Sequence, residues 1–433
     1  MTATSGQTHT GHGTGGRPRV VVVGGGFGGM AVVRELEDVD CDVLLLDKNG
    51  YNTFQPLLYQ VATGGLNPGD VTYALRGYVA RFRNTSFRRE VVTGIDTAAK
   101  LVHVDADDQP IAYDYLVVTA GVTANYFGIP GAEEHSMTIY TRAGAIAVRD
   151  QVLASVENAA QGREDALEPV VVVVGGGPTG VEMAGTLGEM RGGSIAVGYP
   201  ELPISRVRVI LVEMLDVVLG PFDEKLQSYA AQALRDRGVE LRLKTSVKEV
   251  KQHSVVIGPT DGDESQHEEI PVAAVIWATG VTGGPVIGDW GLPMAKGGRI
   301  DVGSDLRVSG LPEVFAAGDV AAINGAPLPQ LAQPAIQGGT HIGKQIAHLL
   351  SGERTEEFSY KNKGTMATIG KADAVVELPF QGIKIKGFPA WVAWVALHIV
   401  VLTGNRNRLS TMVNLTMRYL PRRRMANVIM GDS

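Results

Sequence analysis

Three glycines, Gly24, Gly26 and Gly29, stand in G-x-G-x-x-G spacing, and Gly175, Gly177 and Gly180 repeat that spacing later in the chain. Glycines so placed let backbone amides close on a pyrophosphate, so the chemistry they point to is the binding of two dinucleotides. Each set is answered by a carboxylate. Asp47 lies 23 residues beyond Gly24, close to the roughly 20-residue spacing at which an acid takes the hydroxyl hydrogens of a ribose. Glu213 plays the same part for the second set, after a longer interval that a Gly- and Pro-punctuated insertion around residues 192–203 explains. Met214, not an arginine, follows Glu213. A carboxylate there accepts a free 2′-hydroxyl and repels a 2′-phosphate, which favours NADH over NADPH. A single glycine set would be weak support, and two with matching acids are strong.

Such turns need a strand ending in them and a helix leaving them. Arg19–Val23 and Val170–Val174 are continuous β-branched runs that suit parallel strands buried on both faces. A helix is expected from Met30 to Leu36, with Phe27 in the turn before it, and Pro178 and Thr179 lie in the second glycine turn, ahead of its helix. Asp42–Asp47 and Arg208–Glu213 are acid-tipped strands. Three more strand-like segments end on Ala120-Gly121, Thr279-Gly280 and Gly318-Asp319. The fold class that follows is α/β, with two Rossmann-like dinucleotide-binding domains.

The strand ends at 116–121, 275–280 and 314–319 resemble those of the two-dinucleotide-domain flavoproteins, whose chain crosses from an FAD domain to an NADH domain and back. Within that superfamily, Phe54–Gly64 (FQPLLYQVATG) and Ala332–Gly339 (AQPAIQGG), with a basic amphipathic C-terminus, resemble the type II NADH:quinone oxidoreductases over about residues 17–425. The resemblance implies FAD and NADH as cofactors and a membrane quinone, menaquinone or ubiquinone, as acceptor. It implies FAD contacts at Gly24, Gly26, Phe27, Gly29, Asp47, Lys48, Gln55, Ala120, Gly121, Gly318, Asp319, Ala332 and Gln333. It implies NADH contacts at Gly175, Gly177, Pro178, Thr179, Gly180, Glu182, Glu213, Thr279 and Gly280. Glu182 is expected in the first turn of its helix, where it either serves the helix dipole or, by the resemblance, orients the nicotinamide. Gln333 and Gln337, four apart on the expected 332–350 helix, share a face, and each amide can donate to a quinone carbonyl. The alternative is a solvated pair. Residues 363–371 are expected to form another wall of that site, with no role assigned to any one of them.

From Pro389 to Met430 there is no Asp or Glu and there are six arginines, Arg406, Arg408, Arg418, Arg422, Arg423 and Arg424. Trp391–Leu402 is apolar over twelve residues, against the roughly 20 that cross a bilayer. Leu409, Met412, Val413, Met417 and Leu420 follow helical spacing, so this C-terminal amphipathic region suits a lipid surface, with a dimer interface or a core helix as alternatives. His398, inside the apolar run, is expected to be a satisfied buried histidine. The expected domains are a disordered tail at 1–17, an FAD-binding domain at 18–135 and 286–380, an NADH-binding domain at 136–285, and a membrane-associating region at 381–433. The expected location is the cytoplasmic face of the cell membrane, as a peripheral protein.

The charge balance, 39 − 46 = −7, excludes nucleic acid as the expected partner. Cys41 is the single cysteine, which removes internal dithiol chemistry. No metal site is expected, His9 and His12 in the tail being isolated. Two rivals share the nucleotide motifs: a soluble NADH-dependent reductase of ferredoxin or rubredoxin, and a non-catalytic NADH-binding flavoprotein.

Overall fold

A computed structural model describes residues 16–105, 107–163, 166–326, 328–379 and 382–419. The tail through residue 15, and Leu420, Arg422, Arg423 and Arg424, lie outside the described residues. In chain order the parallel strands are β1 (Arg19–Val23), β2 (Asp42–Asp47), β3 (Thr85–Arg89), β4 (Tyr115–Val118), β5 (Val170–Val174), β6 (Arg208–Val212), β7 (Val239–Arg242), β8 (Ala274–Trp277) and β9 (Val314–Ala316). An antiparallel pair, β10 (Thr365–Gly370) and β11 (Asp373–Glu377), follows. The helices that matter are α1 (Phe27–Glu35), α2 (Pro178–Met190), α3 (Ala332–Leu350), α4 (Phe388–Val401) and α5 (Asn405–Tyr419).

The chain divides into two compact units. The first is Met1–Asn52, Tyr73–Thr123 and Val281–Asn362, and the second is Thr53–Thr72, Ala124–Gly280 and Lys363–Ser433. This departs from the expected domains. The first crossing comes before residue 135, because residues 130–137 already pair with the second unit: Val250 N donates to Pro130 O at 2.9 Å and Trp277 N to Met137 O at 2.7 Å. The C-terminal residues group with the second unit. Strand β10 packs so closely on α2 that a Cβ at Gly185 would lie 2.5 Å from Ile369 O, and α5 is hydrogen-bonded to residues 60–72.

The first unit is built on a parallel sheet of order β9-β4-β1-β2-β3, and the second on one of order β7-β6-β5-β8. All five residues of β5 and four of the five in β1 are buried, as the valine runs require. In the first unit α1 and α3 pack at glycines: a Cβ at Gly339 would stand 2.2 Å from Gly28 O, so no larger residue allows that approach.

Candidate functional site: two matching dinucleotide cradles

Helix α1 begins three residues earlier than expected, at Phe27, because Gly26 is still extended (φ −76°, ψ −164°) and the chain turns helical directly after it. Gly28 and Gly29 are therefore inside the first turn. Gly24 has φ +105°, and a Cβ there would meet Thr119 O at 2.4 Å, so both conformation and space demand glycine. A Cβ at Gly29 would fall 1.9 Å from Gly24 O, whereas Gly26 has nothing within 4 Å, which leaves the mouth of the turn open. Asp47 ties the turn down: Oδ2 accepts from Gly25 N at 2.7 Å and Oδ1 from Asn49 N at 2.6 Å. Burial pushes its carboxyl above the usual range, and these two N–H groups oppose the rise.

Two contributors were not expected from sequence. The Thr119 hydroxyl donates to Gly24 O at 2.9 Å, and the buried Asn52 amide donates to Gly25 O at 3.0 Å. Neither belongs to the glycine pattern; only the neighbouring Ala120-Gly121 strand end could have drawn the eye to Thr119. Gly318 has φ +78° and brings the chain against Ala335 in the first turn of α3. Asp319 beside it is pushed up to about 6 by burial, partly offset by the Arg299 guanidinium, and accepts no hydrogen bond among the described residues. An open glycine turn on a helix N-terminus and an unpartnered carboxylate needing hydroxyl donors are what a flavin dinucleotide requires, so the residues present fit FAD. Lys48 is exposed, and Gln55, also exposed, falls in the second unit.

The second unit repeats the first cradle. Gly175 has φ +108° and a Cβ would meet Thr279 Cβ at 2.7 Å, a Cβ at Gly180 would lie 1.8 Å from Gly175 O, and Gly177 has nothing within 4 Å. Glu213 copies Asp47: Oε2 accepts from Gly176 N at 2.5 Å and Oε1 from Leu215 N at 2.8 Å. A carboxylate has about four acceptor sites, so each strand-end acid keeps capacity for a ribose. Pro178 and Thr179 are the first two residues of α2.

The helix start corrects the placement of Glu182. With Pro178 first, Glu182 is the fifth residue and the first turn carries no acid, so a helix-dipole role is not available to it. Its surroundings matter more. Oε1 accepts from Thr368 N at 3.3 Å, and Trp394 from α4 hydrogen-bonds the same carboxylate. Burial pushes the carboxyl up to about 8 against those two donors, so it holds a proton at pH 7. Tyr59 OH lies 3.4 Å from Thr368 Oγ1, Gln60 donates to Tyr59 OH at 2.9 Å, and Arg418 donates to Gln60 Oε1 at 2.9 Å. His398 is satisfied as expected: Nδ1 is 2.7 Å from Trp394 O, its ring stacks on Trp394 at 3.8 Å, and burial lowers it to about 4.

The two glutamines of α3 do share a face, Gln337 Nε2 donating to Gln333 Oε1 at 3.3 Å. They differ in freedom. Gln337 is clamped to the backbone of Lys361, donating to its carbonyl and accepting from its N–H at 3.0 Å each. The Gln333 amide nitrogen has no partner among the described residues.

Helix α5 is turned inside out. Its polar Asn407 and Thr411 are buried, while Leu409, Met412, Val413 and Met417 are exposed. The buried face is held by Asp70, which accepts from Ser410 Oγ at 2.5 Å and Asn414 Nδ2 at 2.7 Å. Phe388, Val392, Leu397, Val400 and Val401 of α4 are exposed too. No helix among the described residues is long and apolar enough to cross a membrane.

The pyridine nucleotide-disulphide oxidoreductase family model matches residues 18–339, and the NDH2 C-terminal domain model matches residues 362–424. A type II NADH:quinone oxidoreductase of Mycobacterium tuberculosis is 35% identical over 438 residues, covering 98% of this chain and 91% of that one. One from Staphylococcus haemolyticus is 31% identical over 374 residues, covering 83% and 89%. Among solved structures, NDH2 from Plasmodium falciparum in complex with NADH has a TM-score of 0.85 at 19% identity, covering 94% of this chain and 99% of that one. The sulfide:quinone oxidoreductase of Aquifex aeolicus has a TM-score of 0.73 at 20% identity, covering 92% of each. At such identities the structural likeness carries the fold.

Proposed function

The chain belongs to the type II NADH:quinone oxidoreductases, flavoproteins that oxidise NADH and reduce quinone, and from that premise we propose which of its residues hold each partner. FAD is held by the first cradle, with Gly24, Gly26, Phe27 and Gly29 against the pyrophosphate, Asp47 at the ribose, and Ala120, Gly121, Gly318, Asp319 and Ala332 lining the rest. NADH is held by Gly175, Gly177, Pro178, Thr179 and Gly180, with Glu213 at the adenosine ribose and Thr279 and Gly280 beyond the turn. Bound FAD supplies the two-electron chemistry between NADH and quinone. The observation that carries this reading is the pair of glycine turns with the same geometry and the same acid anchor.

The protein's own work is binding and proton placement. NADH, one proton and quinone give NAD⁺ and quinol. Glu182, protonated at neutral pH, donates a hydrogen bond from its carboxyl and so orients the nicotinamide amide. The Gln333 amide is free to donate to a quinone carbonyl, whereas Gln337 acts through Lys361 and Gln333. Anaerobic NADH should bleach the flavin of the purified protein, and a menaquinone analogue should restore its colour. Colourless protein that takes up no FAD would end the assignment. Gln333→Ala should slow quinone turnover and spare ferricyanide reduction; equal losses on both would move Gln333 to the flavin.

The exposed apolar face of α4 and α5, flanked by Arg406 and Arg408, lies in the lipid headgroup layer. NADH as substrate puts the protein on the cytoplasmic face, which protease accessibility in inverted against right-side-out vesicles checks. Leu409→Glu with Met417→Glu should abolish flotation with anionic vesicles; flotation kept but a dimer lost would give the face to a second copy of the chain.

A further inference from the structure

Phe127 has no part in either glycine pattern and breaks two ordinary habits of its residue type. It is 60% exposed, and its backbone has φ +53°, a region bulky side chains rarely adopt. A surrounding clamp imposes both. The Trp277 indole N–H donates to Asn125 O at 2.9 Å, Asn125 N donates to Gly280 O at 3.2 Å, and Phe127 N donates to Asn125 Oδ1 at 2.9 Å. Tyr126 braces the loop with its ring 5.6 Å from that of Trp277. The Phe127 ring is thereby laid over Gly280: a Cβ at Gly280 would be 2.3 Å from Phe127 Cζ and 2.4 Å from Cε2. An exposed ring held in a strained conformation gains little by burial, which leaves contact with a ligand as its use.

The sheet order identifies the part of the ligand. Strand ends β6, β5 and β8 are neighbours in that sequence, about 4.8 Å apart each. Glu213 follows β6, the Gly175–Gly180 turn follows β5, and Thr279-Gly280 follow β8. With the adenosine ribose at the first and the pyrophosphate at the second, the nicotinamide half of NADH runs over the third. We propose that Phe127 is a positioning residue for NADH, its ring forming the wall against which the nicotinamide ring is seated beside Gly280. This rests on the assignment of the second cradle to NADH.

Titration of the FAD-loaded protein with NAD⁺ and, separately, with ADP-ribose, which lacks the nicotinamide ring, tests it. Phe127→Ala should weaken NAD⁺ roughly fivefold, as loss of one aromatic contact does, and leave ADP-ribose unchanged. Phe127→Tyr should bind both as wild type does, and Phe127→Ala should raise the NADH KM without moving the quinone KM. Unchanged NAD⁺ affinity in Phe127→Ala, or equal loss for NAD⁺ and ADP-ribose, overturns the proposal. Wild-type protein that binds neither ligand refutes the cradle assignment instead. Should Phe127→Ala lose flavin, Phe127→Leu, which keeps the bulk without the π face, is read by the same criteria.

Discussion

Replacing Glu182 by glutamine should flatten the pH dependence of stability. Burial raises this carboxyl from 4.5 to about 8, so between those values the folded protein binds a proton that the unfolded chain has released. Stability must therefore fall as pH rises through that window, the slope being set by the excess of protons on the unfolded state, here negative. At 1.36 kcal/mol per pH unit the loss is about 3 kcal/mol at pH 7 and reaches about 5 kcal/mol by pH 9, relative to pH 4, as an order of magnitude. Glutamine keeps the shape and can still accept from Thr368 N, without that penalty. Urea unfolding of wild type and Glu182→Gln at pH 5, 7 and 9 reads the difference: the variant should gain on wild type as pH rises. Parallel pH profiles for the two proteins would show that Glu182 ionises freely and that its reading as a proton-bearing group is wrong.

Gly180→Ala places a Cβ 1.8 Å from Gly175 O, so NADH binding should fall more than tenfold while flavin content stays at wild-type level; co-purified FAD and the NADH KM report the two. Glu213→Ala removes the anchor of Gly176 N and, with it, the proposed ribose acceptor. NADH kcat/KM should drop roughly tenfold and the preference over NADPH should narrow, and an unchanged ratio would take cofactor selection away from this residue. Asp70→Ala removes the buried acceptor of three part-buried hydrogen bonds, from Ser410, Asn414 and Asn67 N, at a cost of about 3 kcal/mol. Hydrogen exchange should accelerate over 405–419, and wild-type protection there would mean that α5 is held by something else.

Removing the whole tail is a poor test of what it does. Trp394 of α4 hydrogen-bonds Glu182, and Arg418 and Tyr419 of α5 both engage Gln60. Deleting residues 389–433 would therefore unroof the Glu182 carboxyl as well as strip the apolar face. Charge substitution at Leu409 and Met417 separates the two effects, because both side chains point away from these bonds.

What the sequence determined by itself was whatever depends on local spacing. G-x-G-x-x-G between a valine strand and a helix constrains φ angles and close approaches within a few residues, so both cradles, Asp47, Glu213 and the 332–350 helix were legible before any contact was known. Boundaries set by a cap conformation were less so, as α1 starting at Phe27 and Glu182 lying one turn deeper both show. Tertiary structure alone decided the rest. Asn52 and Thr119 reach the first turn, Lys361 immobilises Gln337, and Trp394, Thr368 and Tyr59 enclose Glu182, from positions far apart in the chain. A pKa and a hydrogen-bond count are properties of the enclosing surface, and residues hundreds of positions apart build that surface only once the chain has folded.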